Sequence, residues 1–244
     1  MIESALIGAS TLLAAVVSGA TGFGFALVAT ALWSQLLDPQ TVTVLAISYT
    51  LTLNVAYLPL FWRRIPWRRL WPFALGGVCG VPLGAWALGW LAPATLRPMV
   101  GAILLVYGVV MLRRSQLPVL RLSSRAGWWA DAAVGWLGGF LGGLAGLSGF
   151  VPTIWCALRA EDKTGNRALV QAFILLVSVL GLLWVHRLVG IEPQLQQRLW
   201  FGLPFVVAGG ALGVFLFSRL DAARFNRLVL WLLVLCGTLL LVRH

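Results

Sequence analysis

Long blocks of apolar residues run through this chain, separated by short, mostly basic connections. The blocks fall at about 4–37, 40–62, 69–91, 95–113, 128–158, 167–188, 197–219 and 224–242. Most approach the 20 or so apolar residues that a helix needs to cross the roughly 30 Å hydrocarbon core of a bilayer. The pattern predicts an all-α polytopic membrane protein. No stretch is polar enough to fold as a separate soluble domain, so residues 1–244 read as a single membrane domain.

Two blocks break this rhythm. Block 4–37 is too long for one simple span and is interrupted by Gly19-Ala20-Thr21-Gly22-Phe23-Gly24. Block 128–158 is interrupted by Gly142-Gly143-Leu144-Ala145-Gly146-Leu147-Ser148-Gly149, with Pro152 just beyond. Glycine makes helix costly and proline removes a backbone donor. Each block can therefore be one kinked span or two half-helices meeting in a hairpin.

The interruptions occupy matching places in a duplicated pattern. Arg69-Leu70-Trp71 recurs as Arg198-Leu199-Trp200, 129 positions later. Gly80, Gly84, Leu91 and Gly108 match Gly209, Gly213, Leu220 and Gly237 at the same offset. Gly19 and Gly22 match Gly143 and Gly146 at an offset of 124, the difference falling in a longer connection around 189–193. We expect a first repeat at 1–114, a cytoplasmic linker at 115–127 and a second repeat at 128–244. Each repeat opens with a Gly-broken unit followed by three transmembrane helices.

Charge distinguishes the two readings of the broken blocks. If both are single spans, the side holding Arg63–Arg69 collects 11 of the 18 basic residues. If both are hairpins, that side gains the 159–167 and 219–227 connections and collects 14 of 18. Basic residues concentrate in cytoplasmic loops, so the count prefers hairpins. Each half then makes an odd number of crossings, and the two halves become inverted repeats.

Composition narrows the partners. The chain is 60% hydrophobic and only 10% charged, so little of its surface suits water. A net charge of +11 would suggest nucleic acid in a soluble protein. Here the excess sits in the loops and reads as topology, which excludes nucleic acid. Met1-Ile2-Glu3 offers no basic region ahead of the first apolar block, so that block is expected to stay in the protein. Cys79, Cys156 and Cys236 lie in apolar blocks without metal-ligand spacing and read as small buried hydrophobes. Gly76, Gly80, Gly84 and Gly135, Gly139, Gly143 are spaced by four, a pattern that lets helices approach closely in lipid. Phosphate loops, metal clusters and dinucleotide fingerprints are missing, and no cofactor is expected. The expected partners are a small anion and the lipid bilayer, with self-association left open. The expected location is the inner or plasma membrane.

The chemistry points to the interruptions. Inside a bilayer, irregular backbone persists only where it is buried or lines a wet cavity. Matching breaks in two repeats mark a midplane binding site, with half-helix N-termini directed at an anion. A helix terminus supplies only about 0.3–2 kcal/mol, so further donors are needed. Thr21, Gly22, Gly24, Asn54, Gly146, Ser148, Gly149, Trp155 and Gln171 are the substrate-binding candidates. The glycines would shape the site and the polar side chains would donate to it. A local role competes for each: Thr and Ser can bond their own helix, and Asn or Gln can join helices. Trp155, just after the second break, is the one tryptophan expected to line the pathway. Trp62, Trp67, Trp71, Trp128, Trp129 and Trp200 lie near block ends and read as interfacial anchors. Glu3, Asp38, Asp131, Glu161, Asp162, Glu192 and Asp221 all lie near block ends or in loops. That placement argues against cation transport and against a carboxylate proton relay.

The sequence resembles the TauE/SafE family of sulfite and organosulfonate exporters over nearly its whole length. The resemblance rests on Gly19-Ala20-Thr21-Gly22-Phe23-Gly24-Phe25-Ala26-Leu27, on Gly146-Leu147-Ser148-Gly149-Phe150, and on Arg159 to Gln171 with Asp162-Lys163, Arg167-Ala168 and Gln171. It implies a duplicated permease for sulfur-containing oxyanions, working by alternating access. Many members read Ser-Gly-Pro-Pro where this chain has Ser148-Gly149-Phe150-Val151-Pro152. An enzyme reading competes with this one. Gly146-Leu147-Ser148-Gly149 fits the Gly-x-Ser-Gly of rhomboid-like intramembrane serine proteases, which need a histidine within hydrogen-bond reach of the serine. Only His186 and His244 exist. His244 is the last residue and His186 ends a span, so the transporter reading is preferred. A non-transporting membrane assembly protein would leave the paired breaks unexplained.

The hairpin reading places residues 63–69, 113–127, 159–167 and 219–227 on the cytoplasmic side. Single-cysteine labelling should therefore modify positions 66 and 163 from the same face. Labelling of 163 from the outer face and 66 from the inner would make both broken blocks single spans.

Overall fold

The computed structural model describes residues 2–21, 24–113, 120, 122–159, 163–188, 193–217 and 222–242. Among them are ten α-helices, one 3-10 turn and no strand. The helices are α1 (Ile2–Thr21), α2 (Phe25–Trp33), α3 (Pro39–Phe61), α4 (Trp67–Trp90), α5 (Pro93–Leu112), α6 (Ser124–Ala145), α7 (Phe150–Arg159), α8 (Lys163–Leu188), α9 (Pro193–Phe217) and α10 (Ala222–Val242). Helix starts follow local chemistry. The Asp38 carboxylate caps α3 by accepting the Thr41 N–H at 2.8 Å, and Pro39 supplies the preset φ of a first helical residue. Ser123 caps α6 by accepting from the Ala126 N–H.

Among the described residues, five segments are long and apolar enough to cross a bilayer: Pro39–Arg64, Trp67–Trp90, Pro93–Leu112, Gly165–Arg187 and Leu195–Leu216. Leu6–Ala20 and Arg227–Val242 are shorter apolar helices. Many large apolar side chains, among them Leu60, Trp86, Val207, Phe215 and Leu228, face outward, as lipid-facing surfaces require. The chain is a multi-pass membrane protein.

Both Gly-rich stretches interrupt helix. Between α1 and α2, Gly24 holds φ at 102° and precedes the first turn of α2. Between α6 and α7, Gly146 holds φ at 72°, with its N–H on the Gly142 carbonyl and the Leu147 N–H on that of Leu141. Left-handed backbone of this kind is cheap only for glycine. The Trp33 indole at the far end of α2 donates to Ser10 Oγ of α1 at 2.9 Å. Arg159 at the far end of α7 lies against Gly127 of α6.

Two glycine seams hold the bundle together. On α4 and α6, added Cβ atoms at Gly76, Gly80 and Gly84 would strike the carbonyls of Ala132, Trp136 and Phe140. Cβ atoms at Gly135, Gly139 and Gly143 would meet Phe73, Gly77 and Val81 in return. On α1 and α9, Gly209 and Gly213 face the carbonyls of Leu12 and Val16, and Gly19 faces Gly210, Gly213 and Val214. The seams share one register. Trp136 and Phe140 lie 124 positions after Leu12 and Val16, and Gly209 and Gly213 lie 129 after Gly80 and Gly84. Helices within each seam run parallel. By contrast α5 and α10 run antiparallel, with Gly101 against Leu240 and Gly108 against Val234. Helix α3 also opposes α8: Ile47 meets Gly181, while Tyr57 shares a cavity wall with Gln171.

Close packing in lipid depends on these bare backbones, because no hydrophobic drive brings apolar helices together there. Gly80→Ala and Gly139→Ala should each lower stability by about 1–3 kcal/mol through overpacking. Gly89, whose added Cβ would meet nothing within 4 Å, is the neutral control. Thermal unfolding in detergent measures the difference.

Candidate functional site

The 3-10 turn Trp62–Arg64, the starts of α4, α6 and α8 and the end of α7 gather at one end of the bundle. There the Arg69 guanidinium donates to Asn166 Oδ1 at 3.1 Å, Asn166 Nδ2 donates to the Cys156 carbonyl at 3.2 Å, and the Leu120 N–H donates to the Leu158 carbonyl at 2.9 Å. We call this the basic end.

A cavity of about 440 Å³ opens here between α1, α3, α8 and α9. Its polar wall comprises Tyr57, Arg64, Arg167 and Gln171, and Gly19 closes it from the last turns of α1. Tyr57 is only 8% exposed, and its hydroxyl has no hydrogen-bond partner among the described residues. Two guanidiniums and a phenol, with no carboxylate among the described lining residues, make a wall suited to a negatively charged guest.

From this cavity a polar row runs down one face of α3. Tyr57, Asn54, Thr50 and Thr43 are spaced by three, four and seven, which aligns them on a helix. All are buried. Asn54 donates Nδ2 to the Thr50 carbonyl at 2.9 Å, but its Oδ1 and the Thr50 hydroxyl have no partner among the described residues. Thr43 closes the row by donating to the Leu144 carbonyl at 3.2 Å, beside the second break.

The structure distributes the sequence-selected residues over four places. Gln171 lines the cavity and Asn54 belongs to the row next to it. Gly146 lies against Ala46, Ile47 and the Thr43 carbonyl. Ser148 is buried against Gly138 and Gly142, and Gly149 faces Ile174. Gly24 caps α2, and Thr21 is the last residue of α1. Gly22 lies outside the described residues, as do residues 115–119 and 121 of the 115–127 linker. Trp155 stands apart from the cavity lining: its indole N–H donates to Asp131 Oδ1 at 2.6 Å, and the Arg159 guanidinium sits 5.9 Å from its ring.

Two expectations change. The α1 end of the first break reaches the level of Tyr57, whereas the second break packs on Thr43–Ile47. Along α3 that puts the α1 end of the first break and the second break on the order of 15 Å apart, with Phe25 at the start of α2 against Tyr49 between them. Asp131 is also deeper than a block starting at 128 implied. Helix α6 begins at Ser124, which puts Asp131 roughly 10 Å along it, 4% exposed.

Sequence reasoning passed over Tyr57, Arg64 and Arg167 as site residues. A signal existed: Tyr57 is one turn beyond Asn54, and Arg167 one turn before Gln171, on the same helix faces.

The model of the family "Sulfite exporter TauE/SafE" matches residues 7–242. The chain belongs to the TauE/SafE family. No curated protein and no solved structure matches it. The TauE/SafE assignment covers both helix interruptions, the cavity and the whole α3 row.

Proposed function

We propose that this TauE/SafE protein is a secondary transporter that exports a small sulfur-containing oxyanion, such as sulfite or an organosulfonate, by alternating access. The observation that carries the reading is the cavity at the basic end, where Arg64, Arg167, Tyr57 and Gln171 converge. Its volume falls in the range of small-molecule sites. An Arg fork can hold two oxygens of a sulfonate or sulfite at once, which an ammonium cannot. By the concentration of basic residues, the cavity faces the cytoplasm of a cell that holds the protein in its inner or plasma membrane.

We read the fold as two inverted repeats, each opening with a hairpin. The support is the exchange of contacts: the first helix of each half packs on the fourth helical element of the other, in registers related by 124 and 129 positions. Reciprocal contacts of this kind are those of a two-fold axis. The antiparallel pairs α5–α10 and α3–α8 support an axis in the membrane plane, the arrangement of inverted-repeat transporters. The Trp33–Ser10 bond and the Arg159–Gly127 contact support the hairpins, since each short helix ends beside the long helix before it.

The protease reading loses ground on geometry. Ser148 is buried beneath Gly138 and Gly142, while His186 is exposed on α8, two residues from its end. A base must come within hydrogen-bond reach of its nucleophile.

Sulfite flux into proteoliposomes tests the proposal. Arg167→Gln should raise the apparent KM about tenfold or more, Arg167→Lys should recover part of the loss, and Tyr57→Phe should cost about 0.5–1.5 kcal/mol. Folded Arg167→Gln and Arg64→Gln proteins that move sulfite as the parent does would place the site elsewhere.

A further inference from the structure

The end of the bundle away from the basic loops carries a second polar cleft. It lies between α2, α3, α5 and α6, and Thr30, Ser34, Thr43 and Arg97 contribute its polar groups. Its other walls are apolar, including Val42, Leu96, Val100 and Leu144. Thr30 is 1% exposed with its hydroxyl unpartnered, and the buried Arg97 Nε is also unpartnered, both among the described residues. Arg97 is half-buried, and its Nε–H is a donor shut away from water that a polar or negative guest in the cleft would meet. No carboxylate is among the described residues that line the cleft.

The position of the cleft is as informative as its chemistry. Thr43 of this cleft and Arg167 of the large cavity lie 124 positions apart, the offset that relates the first helices of the two halves. The α3–α8 contacts obey the same offset: Ile47 with Gly181 at one level corresponds to Gln171 with Tyr57 at the other. The two clefts thus share one repeat-related pair, Thr43 and Arg167, at opposite ends of the bundle, and the α3 row of Thr43, Thr50, Asn54 and Tyr57 runs between them. They differ in width. The basic-end cavity holds about 440 Å³ and this one about 10 Å³, room for one water-sized group.

We infer that Thr30, Ser34, Thr43 and Arg97 form a second oxyanion site, closed in this conformation, which receives the anion from the α3 row and releases it at the far end. The inference rests on the transporter reading above. Arg97 supplies the charge and the fork, and the Thr30 and Ser34 hydroxyls supply neutral donors. A site with one guanidinium holds its guest less tightly than a cavity with two, which favours release.

Proteoliposomes with the protein in one orientation, loaded with sulfite on either side, test this. Arg97→Gln should leave equilibrium sulfite binding at the basic end within twofold of the parent. It should raise KM about tenfold or more for sulfite entering from the far end. Thr30→Val, close in shape, should raise that same KM about threefold or more and serves if Arg97→Gln does not fold. Arg97→Lys should recover part of the affinity. Far-end KM unchanged in Arg97→Gln or, where that variant does not fold, in Thr30→Val overturns the inference. So does an equal loss at both ends, which would make Arg97 a structural residue. A parent protein that moves no oxyanion brings down the transporter reading itself, and this inference with it; a parent that moves sulfite while both variants match it at the far end brings down only this one.

Discussion

Backbone must touch backbone for this fold to exist. Along α4–α6 and α1–α9 the helices meet at glycines whose missing Cβ leaves room for a facing carbonyl. Lipid gives apolar helices no reason to associate, so the seams supply dispersion and close dipolar contact that bulkier residues would forbid. Because each seam joins one half of the chain to the other, neither half has its full set of contacts alone. The larger apolar core, which draws on α1, α2, α3, α5 and α10, is assembled by the same exchange.

That constraint frees α3 for another task. With the seams carried by α1, α4, α6 and α9, α3 crosses the middle of the molecule against α8 and can hold a line of polar side chains. Polar atoms inside a membrane protein are expensive unless paired. The Thr50 hydroxyl, Asn54 Oδ1 and the Tyr57 hydroxyl are buried and unpartnered among the described residues, on one face of one helix. Such a row lowers stability as it stands and makes sense as a path for a polar guest. Under the transporter proposal, the wide cavity at one end and the narrow cleft at the other are read as one access state of a two-ended pathway.

Much of this was legible in the sequence because lipid imposes simple patterns. Apolar block length located the crossing helices, and glycine clusters located the helix interruptions before Gly24 and at Gly146. Asn54 and Gln171 stood out because polar residues inside spans are rare. The placement of the breaks was not legible, because it depends on how far α1 and α6 slide along their seams, and sequence offsets do not give that. Tyr57 was hidden by its amphipathic character, since a tyrosine near a span end reads equally well as an interfacial anchor. Arg64 and Arg167 were absorbed by charge counting, which treats a basic loop residue as a topology signal wherever its side chain goes. Trp155 adjoined the second break in sequence, yet its indole bonds Asp131 and not a cavity group.

The central claim is that the α3 row is kept for transport at a cost in stability. Replacing Thr50 by Val and Asn54 by Leu together keeps the volume and removes the unpartnered oxygens, so it separates the two properties. The account predicts a double variant that unfolds at the same or a higher temperature than the parent while sulfite flux in proteoliposomes falls about tenfold or more. A stable double variant with the parent's flux would contradict it.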